Sequence, residues 1–348
     1  MILTLLTWAL VGCALSFTLT ACLQKIAPRF GLMDDPDGER KQHARPTPLF
    51  GGFAIFLSVA LVILILLRTG NDLTGGEITA THYLGFILGG AVLMLVGFLD
   101  DRFVLPPRAT ILGPLIATLI LIGSGVEIEK LTNPFGGIVN LKDWESDVIV
   151  FLWMMAVMYT TKFLDGLDGL ATGVSAVGAW MILLLSMTVA YFQPDVALMS
   201  AVAVGAMIGF LFWNVHPAKI FLGEGGSTYV GYALGTLAVI SGGKLATALL
   251  VLGIPVLDVF WIVARRFREG GWRRVIHGDR EHLHHRLLAL GWGQNRVVLL
   301  YVGLACAFGA LTLFLQSREK LIALIILGLM MILIGFFVAS KQRTSPHI

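Results

Sequence analysis

The sequence has 348 residues, of which 57% are hydrophobic and 14% charged, and its mean hydropathy is +0.84. These values exclude a soluble globular domain and indicate a polytopic membrane protein. The net charge is only +3, and no nucleic-acid partner is expected. The three cysteines, Cys13, Cys22 and Cys306, all lie in apolar segments, so we expect them to behave as small hydrophobic residues.

Apolar segments of membrane-spanning length follow one another along the chain. A span needs about 20 apolar residues, and we divide the sequence into eleven such segments. They cover residues 3–23, 49–67, 83–99, 110–123, 148–163, 170–191, 197–213, 227–240, 246–263, 297–315 and 321–337. Segment 110–123 is short, and Pro114 interrupts it. The sequence therefore predicts an all-α fold of about eleven transmembrane helices in a single domain, residues 1–348.

The distribution of Lys and Arg predicts the orientation, because these residues stay in cytoplasmic loops near span ends. With the amino terminus outside, 19 of the 25 Lys and Arg residues fall in the inner loops and the carboxyl-terminal tail. Segment 3–23 has no basic residue before it and Lys25 and Arg29 after it, so we expect an uncleaved helix. Residues 126–141 alternate around turn-forming residues and would form a small external hairpin.

The first predicted inner loop, residues 33–52, is basic. Its basic side chains are Arg40, Lys41, His43 and Arg45. They could donate charge-assisted hydrogen bonds to phosphate, and Gly51 and Gly52 would allow a close approach of the backbone. An ordinary positively charged cytoplasmic loop is the alternative interpretation.

Two further inner loops carry pairs of acids. Asp100 and Asp101 directly follow an apolar run, and acids at a membrane edge are candidates for metal or proton chemistry; a water-exposed helix cap is the alternative. Asp165 and Asp168 are three residues apart and would share one helical face. The glycines beside them would break that helix next to a watery cavity. A capping turn would explain only one of these two acids.

The fourth inner loop places Glu224 among three glycines. Such a turn could present the acid to a cation, or backbone N–H groups to phosphate. Lys219 adds a candidate phosphate contact. The alternative is a flexible turn in which Ser227 is the N-cap of the next helix.

The longest inner loop, residues 264–296, contains eight Arg and four His residues. Its DREHLHHRL motif places three histidines between two arginines, which would repel a zinc ion and favour an anion site. Binding of anionic lipid headgroups would explain the other arginines but not the histidines. Acids that could hold a cation and bases that could hold phosphates thus share one membrane face, as phosphoryl transfer requires.

Five motifs in order resemble the polyprenyl-phosphate N-acetylhexosamine-1-phosphate transferase superfamily, glycosyltransferase family 4, over essentially the whole chain. They are RKQHARPTPLFGG, GFLDD, FLDGLDGLATG, NVHPAKIFLGEGGS and DREHLHHRL. The resemblance implies transfer of a sugar 1-phosphate from a UDP-N-acetylhexosamine to polyprenyl phosphate, with release of UMP and with Mg²⁺ as cofactor. It also implies a cytoplasmic active site in a bacterial-type plasma membrane, and it allows a homodimer. The last motif is similar to the branch that starts O-antigen, common antigen and teichoic acid lipids; the phospho-N-acetylmuramoyl-pentapeptide transferase branch ranks second.

The motifs and the resemblance together assign roles to individual residues. The expected catalytic acids are Asp100, Asp101, Asp165 and Asp168. The expected substrate-binding residues are Lys41, His43, Lys162, Asn214, Lys219, Arg280, His282, His284, His285 and Arg286. The expected metal ligands are Glu224 and Asp101.

Two positions depart from the pattern of the resembling family. Lys162 stands where the family usually has Asn, and Glu224 stands where it usually has Asp, both of which are associated with Mg²⁺ there. We expect Lys162 and Glu224 to form an ion pair that partly replaces or weakens bound Mg²⁺. The resulting expectation is either activity with an unusually weak Mg²⁺ requirement or very low activity.

Two other classes of protein fit parts of this sequence. A transporter or lipid flippase also places polar residues at broken helices, but it should carry acids near midspan and two related halves. A catalytically silent relative would bind polyprenyl phosphate or nucleotide without turnover, and the altered Lys162 and Glu224 are its support.

Overall fold

A computed structural model describes residues 1–34, 46–70, 72–133, 135–242, 244–275 and 282–344. Helices dominate this part of the chain. They are α1 (Ile2–Ile26), α2 (Gly51–Thr69), α3 (Ala80–Phe103), α4 (Pro107–Thr110), α5 (Leu112–Gly123), α6 (Asp143–Leu164), α7 (Leu170–Ser186), α8 (Pro194–Asn214), α9 (Gly223–Ile240), α10 (Leu245–Val251), α11 (Gly253–Val275), α12 (Leu283–Ala289), α13 (Gln294–Leu311) and α14 (Ser317–Thr344). Two short antiparallel strand pairs join β1 (Met33–Asp34) to β2 (Thr47–Pro48) and β3 (Lys130–Thr132) to β4 (Ile138–Asn140).

Six helices in the described residues are long and apolar enough to cross a membrane. They are α1, α2, α3, α6, α8 and α13. Helices α10 and α11 are bent by 79° relative to each other and together would make a seventh, broken span. The predicted all-α polytopic fold is confirmed, whereas the number of eleven spans and their orientation stay predictions.

The predicted hairpin is confirmed within residues 126–141. Lys130 pairs with Asn140 and Thr132 with Ile138. Gly136 and Gly137 both adopt positive φ angles, +120° and +85°, which only glycine adopts without strain.

Several predicted boundaries are wrong in ways that matter for function. Helix α3 continues through Phe103, so Asp100 and Asp101 lie in its last turns and not in a loop. Helix α9 begins at Gly223, and Ser227 lies inside it, where its hydroxyl donates to the carbonyl of Glu224. Ser227 is therefore not an N-cap.

Helices α8 and α9 form the centre of the bundle. Tyr229 and Tyr232 of α9 are fully buried, and Phe86 of α3 stacks on Tyr232 with ring centroids 5.3 Å apart. Small residues allow the helices to approach closely: a Cβ atom at Gly205 or Gly209 of α8 would collide with the backbone of α1. The outer helix α1 leaves large apolar side chains exposed, as a lipid-facing helix would.

Candidate active site

One cavity of about 770 Å³ brings together residues from widely separated parts of the sequence. Six carboxylates line it. They are Asp34, Asp100, Asp101, Asp165, Asp168 and Glu224. Lys162, Asn214, His216 and His285 also line this cavity. All five predicted motifs thus contribute described residues to one polar site, the first of them through Leu49, and Asp34 joins them from the other end of the first loop.

Helix packing places α9 beside α3 and α2. A Cβ atom at Gly97 of α3 would collide with Gly225, and one at Gly52 of α2 would collide with Gly226. The segment before α2 also pairs with the segment before α9: Phe221 donates to the carbonyl of Pro48 (2.8 Å) and Gly51 to that of Phe221 (2.9 Å). These close contacts bring the amino terminus of α9 next to the last turn of α3.

Asp101 caps helix α9. Both of its carboxylate oxygens accept from the backbone N–H of Glu224, at 3.1 and 3.2 Å. An acceptor at this position satisfies an N–H group that the first turn of a helix otherwise leaves unpaired. The neighbouring Asp100 accepts from the backbone N–H of Leu105 at 2.8 Å. Both acids therefore have structural partners as well as a place in the cavity.

Asp165 and Asp168 lie in the break between α6 and α7, so the prediction that they share a helical face is wrong. The predicted break itself is present. Gly169, the residue directly before α7, has a φ of +76°, which is not a right-handed helical conformation. Its N–H donates to Asn214 Oδ1 at 3.0 Å. Asn214 Nδ2 in turn donates to the carbonyl of Ile220 (3.0 Å). Asn214 thus joins the α6–α7 break to the α8–α9 loop.

His216 is a site residue that the sequence analysis did not identify. Its Nδ1 atom donates to Asp168 Oδ2 at 2.6 Å, and the backbone N–H of Ala218 donates to the same oxygen at 3.1 Å. The signal that could have identified it is its place in the motif NVHPAKIFLGEGGS, which also carries Glu224. This histidine and N–H group hold the Asp168 carboxylate in place at the cavity wall.

The expected ion pair between Lys162 and Glu224 is confirmed. Lys162 Nζ lies 2.6 Å from Glu224 Oε2, with 23% and 41% of the two side chains exposed. Both residues line the cavity, so the pair is open to a ligand on one side.

The three motif histidines occupy different environments. His282 Nδ1 donates to Asp258 Oδ2 at 2.9 Å, and Asp258 also accepts from the N–H of Leu283. His284 is buried. Its burial, and to a smaller extent the charges of the neighbouring His285 and His282, lower its pKa well below the usual range. His285 lines the cavity.

Asp258 is a second residue that the sequence analysis missed. It is a buried acid in segment 246–263, which was assigned as apolar, and an ionisable residue inside such a segment is itself a functional signal. Through His282 and the N–H of Leu283, it anchors helix α12 to α11 and so places His285 at the cavity.

The remaining expected site residues lie elsewhere. Lys219 is exposed, and its Nζ lies 5.3 Å from the centre of the Trp213 ring, outside the cavity lining. Arg286 is partly buried and also lies outside that lining. Lys41, His43 and Arg280 are outside the described residues.

The acids of the cavity influence one another. Burial, followed by the negative charges of Glu224 and Asp168, raises the pKa of Asp165 to about 8. At neutral pH this carboxyl is therefore largely protonated before a ligand binds, and it can donate a hydrogen bond to a phosphate oxygen.

A divalent cation at Glu224 and Asp101 does not fit the observed donor set. Both Asp101 oxygens already accept from a backbone N–H, and an ammonium group lies against Glu224. Over the part of the chain that the structure describes, no group of three His, Cys, Asp or Glu side chains converges as metal ligands would. Mg²⁺ requires close, near-octahedral oxygen coordination, which this pair does not offer.

Comparison with known proteins shows the family to which this chain belongs. A model of glycosyl transferase family 4 matches residues 83–242, which include the acids of α3, the α6–α7 break and Glu224. Decaprenyl-phosphate N-acetylglucosaminephosphotransferase of Mycobacterium tuberculosis is 32% identical, with 92% of this chain and 85% of the relative covered.

Two further relatives cover most of the chain. A probable undecaprenyl-phosphate N-acetylglucosaminyl 1-phosphate transferase of Bacillus subtilis is 28% identical over 90% of this chain and 86% of its own length. Phospho-N-acetylmuramoyl-pentapeptide-transferase of Bacillus mycoides is 29% identical over 84% of this chain and 90% of its own length. With a relative above 30% identity over nearly the whole chain, this multi-pass membrane protein belongs to glycosyl transferase family 4, the superfamily of polyprenyl-phosphate N-acetylhexosamine-1-phosphate transferases.

Proposed function

We propose that the protein transfers N-acetylglucosamine 1-phosphate from UDP-N-acetylglucosamine to a polyprenyl phosphate and releases UMP. The observation that carries this proposal is the convergence of all five motif segments on one cavity that contains acids, a lysine and two histidines. The names of the M. tuberculosis and B. subtilis relatives support the sugar and the polyprenyl acceptor. The reaction would be the first lipid-linked step of cell-envelope glycan synthesis, at the cytoplasmic side of the plasma membrane.

In the proposed reaction, an oxygen of the lipid phosphate attacks the β-phosphorus of the donor. The bond between that phosphorus and the bridging oxygen breaks, and UMP leaves with the electron pair. The sugar–phosphate bond stays intact, so the product is a polyprenyl diphosphate sugar. A phosphate monoester has a second pKa near 6 and is largely dianionic at pH 7, so the acceptor needs no strong base.

The residues of the cavity then act by position and charge. Lys162 would offset the charge of the diphosphate, and protonated Asp165 would donate to a phosphate oxygen. Asp168, held by His216, and Asp100 would orient the donor and the acceptor, and His285 would contact the donor phosphates.

The direct test is turnover by the purified protein in nanodiscs. Undecaprenyl phosphate is supplied with labelled UDP-N-acetylglucosamine, and both UMP and the lipid product are measured. We expect equimolar UMP and polyprenyl-diphospho-N-acetylglucosamine. Failure to release UMP from this donor or any competing donor would refute the proposal and favour a silent binding protein.

The relative from B. mycoides supports a second candidate, transfer of phospho-N-acetylmuramoyl-pentapeptide. Parallel reactions with UDP-N-acetylmuramoyl-pentapeptide distinguish the two. A higher kcat/KM for the pentapeptide donor would replace the primary proposal with this one.

A further inference from the structure

Six carboxylates line the cavity. In the proposed reaction, both substrates also carry phosphate groups. Anionic substrates entering an acidic cavity require a positive charge close to the transferring phosphate. Building on the proposed function, we infer that the Lys162 ammonium, held by Glu224, is the resident cation of this site and binds the donor diphosphate in place of a divalent metal ion.

The geometry of the ion pair leaves the ammonium available to a ligand. An ammonium group has three N–H donors, and the contact with Glu224 Oε2 at 2.6 Å uses one of them. Lys162 lies on the cavity wall, where it is also attracted by the charge of Asp100. Two donors therefore remain for phosphate oxygens, and Glu224 restricts the otherwise flexible lysine side chain.

Two of the surrounding acids already accept hydrogen bonds from protein groups. Asp101 caps α9 through both oxygens, and Asp168 Oδ2 accepts from His216 and from the N–H of Ala218. A divalent ion at Glu224 would also have to lie beside the positive charge of Lys162. Lysine supplies a fixed point charge without the coordination geometry that Mg²⁺ demands.

The residues at positions 162 and 224 are complementary. An amide at 162 would be a neutral oxygen ligand, whereas an ammonium repels a cation and needs an anion beside it. Glu224 supplies that anion, and its additional methylene relative to Asp brings the carboxylate into contact with Nζ. The double change Lys162→Asn with Glu224→Asp should therefore convert a lysine site into a potential metal site, because the repelling charge is removed while position 224 keeps a carboxylate and position 162 gains an amide oxygen.

The experiment compares the wild type, Lys162→Met and the double variant, each as the full chain in nanodiscs, in EDTA and in Mg²⁺. Turnover of UDP-N-acetylglucosamine and binding of UDP by calorimetry are both measured. Wild-type turnover in EDTA should stay within twofold of that in Mg²⁺. Lys162→Met should lose about 10²-fold to 10³-fold of turnover and at least tenfold of UDP affinity in EDTA. The double variant should bind UDP and turn over substrate only with Mg²⁺.

The matched control is Lys142→Asn with Glu145→Asp, a Lys and Glu pair at the opposite end of α6. It should keep wild-type turnover in EDTA. Thermal unfolding of every variant separates loss of function from loss of fold, and if the double variant fails to fold, the wild type and Lys162→Met still decide the question.

The outcomes separate this inference from the proposed function. Wild-type turnover that requires Mg²⁺ would keep the function and overturn the inference. If no donor is turned over but UDP binds equally in EDTA and Mg²⁺, and Lys162→Met abolishes this binding, the inference stands and the function fails. UDP binding that requires Mg²⁺, or that Lys162→Met leaves unchanged, would overturn the inference.

Discussion

Asp165 lines the cavity in an environment that disfavours its ionised form. Its pKa is raised to about 8 by burial and by the charges of Glu224 and Asp168, whereas an Asp in an unfolded chain has a pKa of about 4. The folded protein therefore binds more protons than the unfolded chain between these values, and the free energy of unfolding falls as pH rises through this window.

We expect Asp165→Asn to be more stable than the wild type at pH 8 and equally stable near pH 4, because the amide has no charge to bury. A gain of about 1 kcal/mol or more would raise Tm by roughly 2 °C. Because the amide keeps a hydrogen-bond donor, turnover at neutral pH should be partly retained. Thermal unfolding at both pH values measures the effect, with the exposed Asp147→Asn as control; a stability difference that does not change with pH would contradict the assigned pKa.

His216 positions Asp168 and is not expected to touch the reacting atoms. His216→Ala removes the 2.6 Å hydrogen bond but leaves the N–H of Ala218 as a partner. We therefore expect a smaller loss of kcat than for Asp168→Asn, for which a loss of about 10²-fold to 10³-fold is typical of groups acting on a transferring phosphate. Steady-state kinetics of both variants provide the test. Equal losses would place His216 itself in contact with substrate.

At the scale of elements, the site depends on how closely α3 and α9 approach each other. A Cβ atom at Gly97 would collide with the backbone of Gly225, and the backbone cannot yield as a flexible side chain could. Gly97→Ala should therefore destabilise the protein by about 1–3 kcal/mol, as overpacking typically does, and should reduce turnover because α9 carries Glu224.

Gly303→Ala is the matched control for Gly97→Ala. Gly303 is also helical, in α13, but has no neighbouring atom within 4 Å of an added Cβ. Replacing Gly by Ala there should be neutral or stabilising by up to about 1 kcal/mol. Thermal unfolding of the two variants checks the contrast, and similar effects at both positions would show that the α3–α9 contact tolerates a methyl group.

At the scale of the whole molecule, the orientation in the membrane can be tested by labelling. The charge distribution predicts that the β3–β4 hairpin faces outward and that the loop before α13 faces the cytoplasm. In a cysteine-free background, a membrane-impermeant maleimide should label Phe135→Cys in intact cells and Asn295→Cys only after lysis. Both positions are exposed. The reverse labelling pattern would invert the predicted topology and move the proposed site away from cytoplasmic UDP-sugars.

Local sequence was sufficient for the features that depend on composition and short-range chemistry. Hydrophobic segments predicted the helices because backbone N–H and C=O groups in a bilayer have no water to bind and must form hydrogen bonds within a helix. The acids at 100, 101, 165, 168 and 224 were recognised as candidates because a charged side chain beside hydrocarbon is energetically costly and is therefore rare outside functional sites. The ion pair between Lys162 and Glu224 was predictable because these two residues depart from the pattern of the resembling family and carry opposite charges.

The tertiary structure decided which of these groups meet and how each is used. Asp101 caps α9, Asn214 joins two loops, and Asp258 anchors His282; none of these partners is near in sequence. The hydrophobic pattern sets where each helix lies along the chain, but the close glycine contacts between helices determine which ends come together. The sequence by itself thus predicted the class of chemistry, and the packing of α2, α3 and α9 determined the cavity in which the ammonium of Lys162 meets the carboxylate of Glu224.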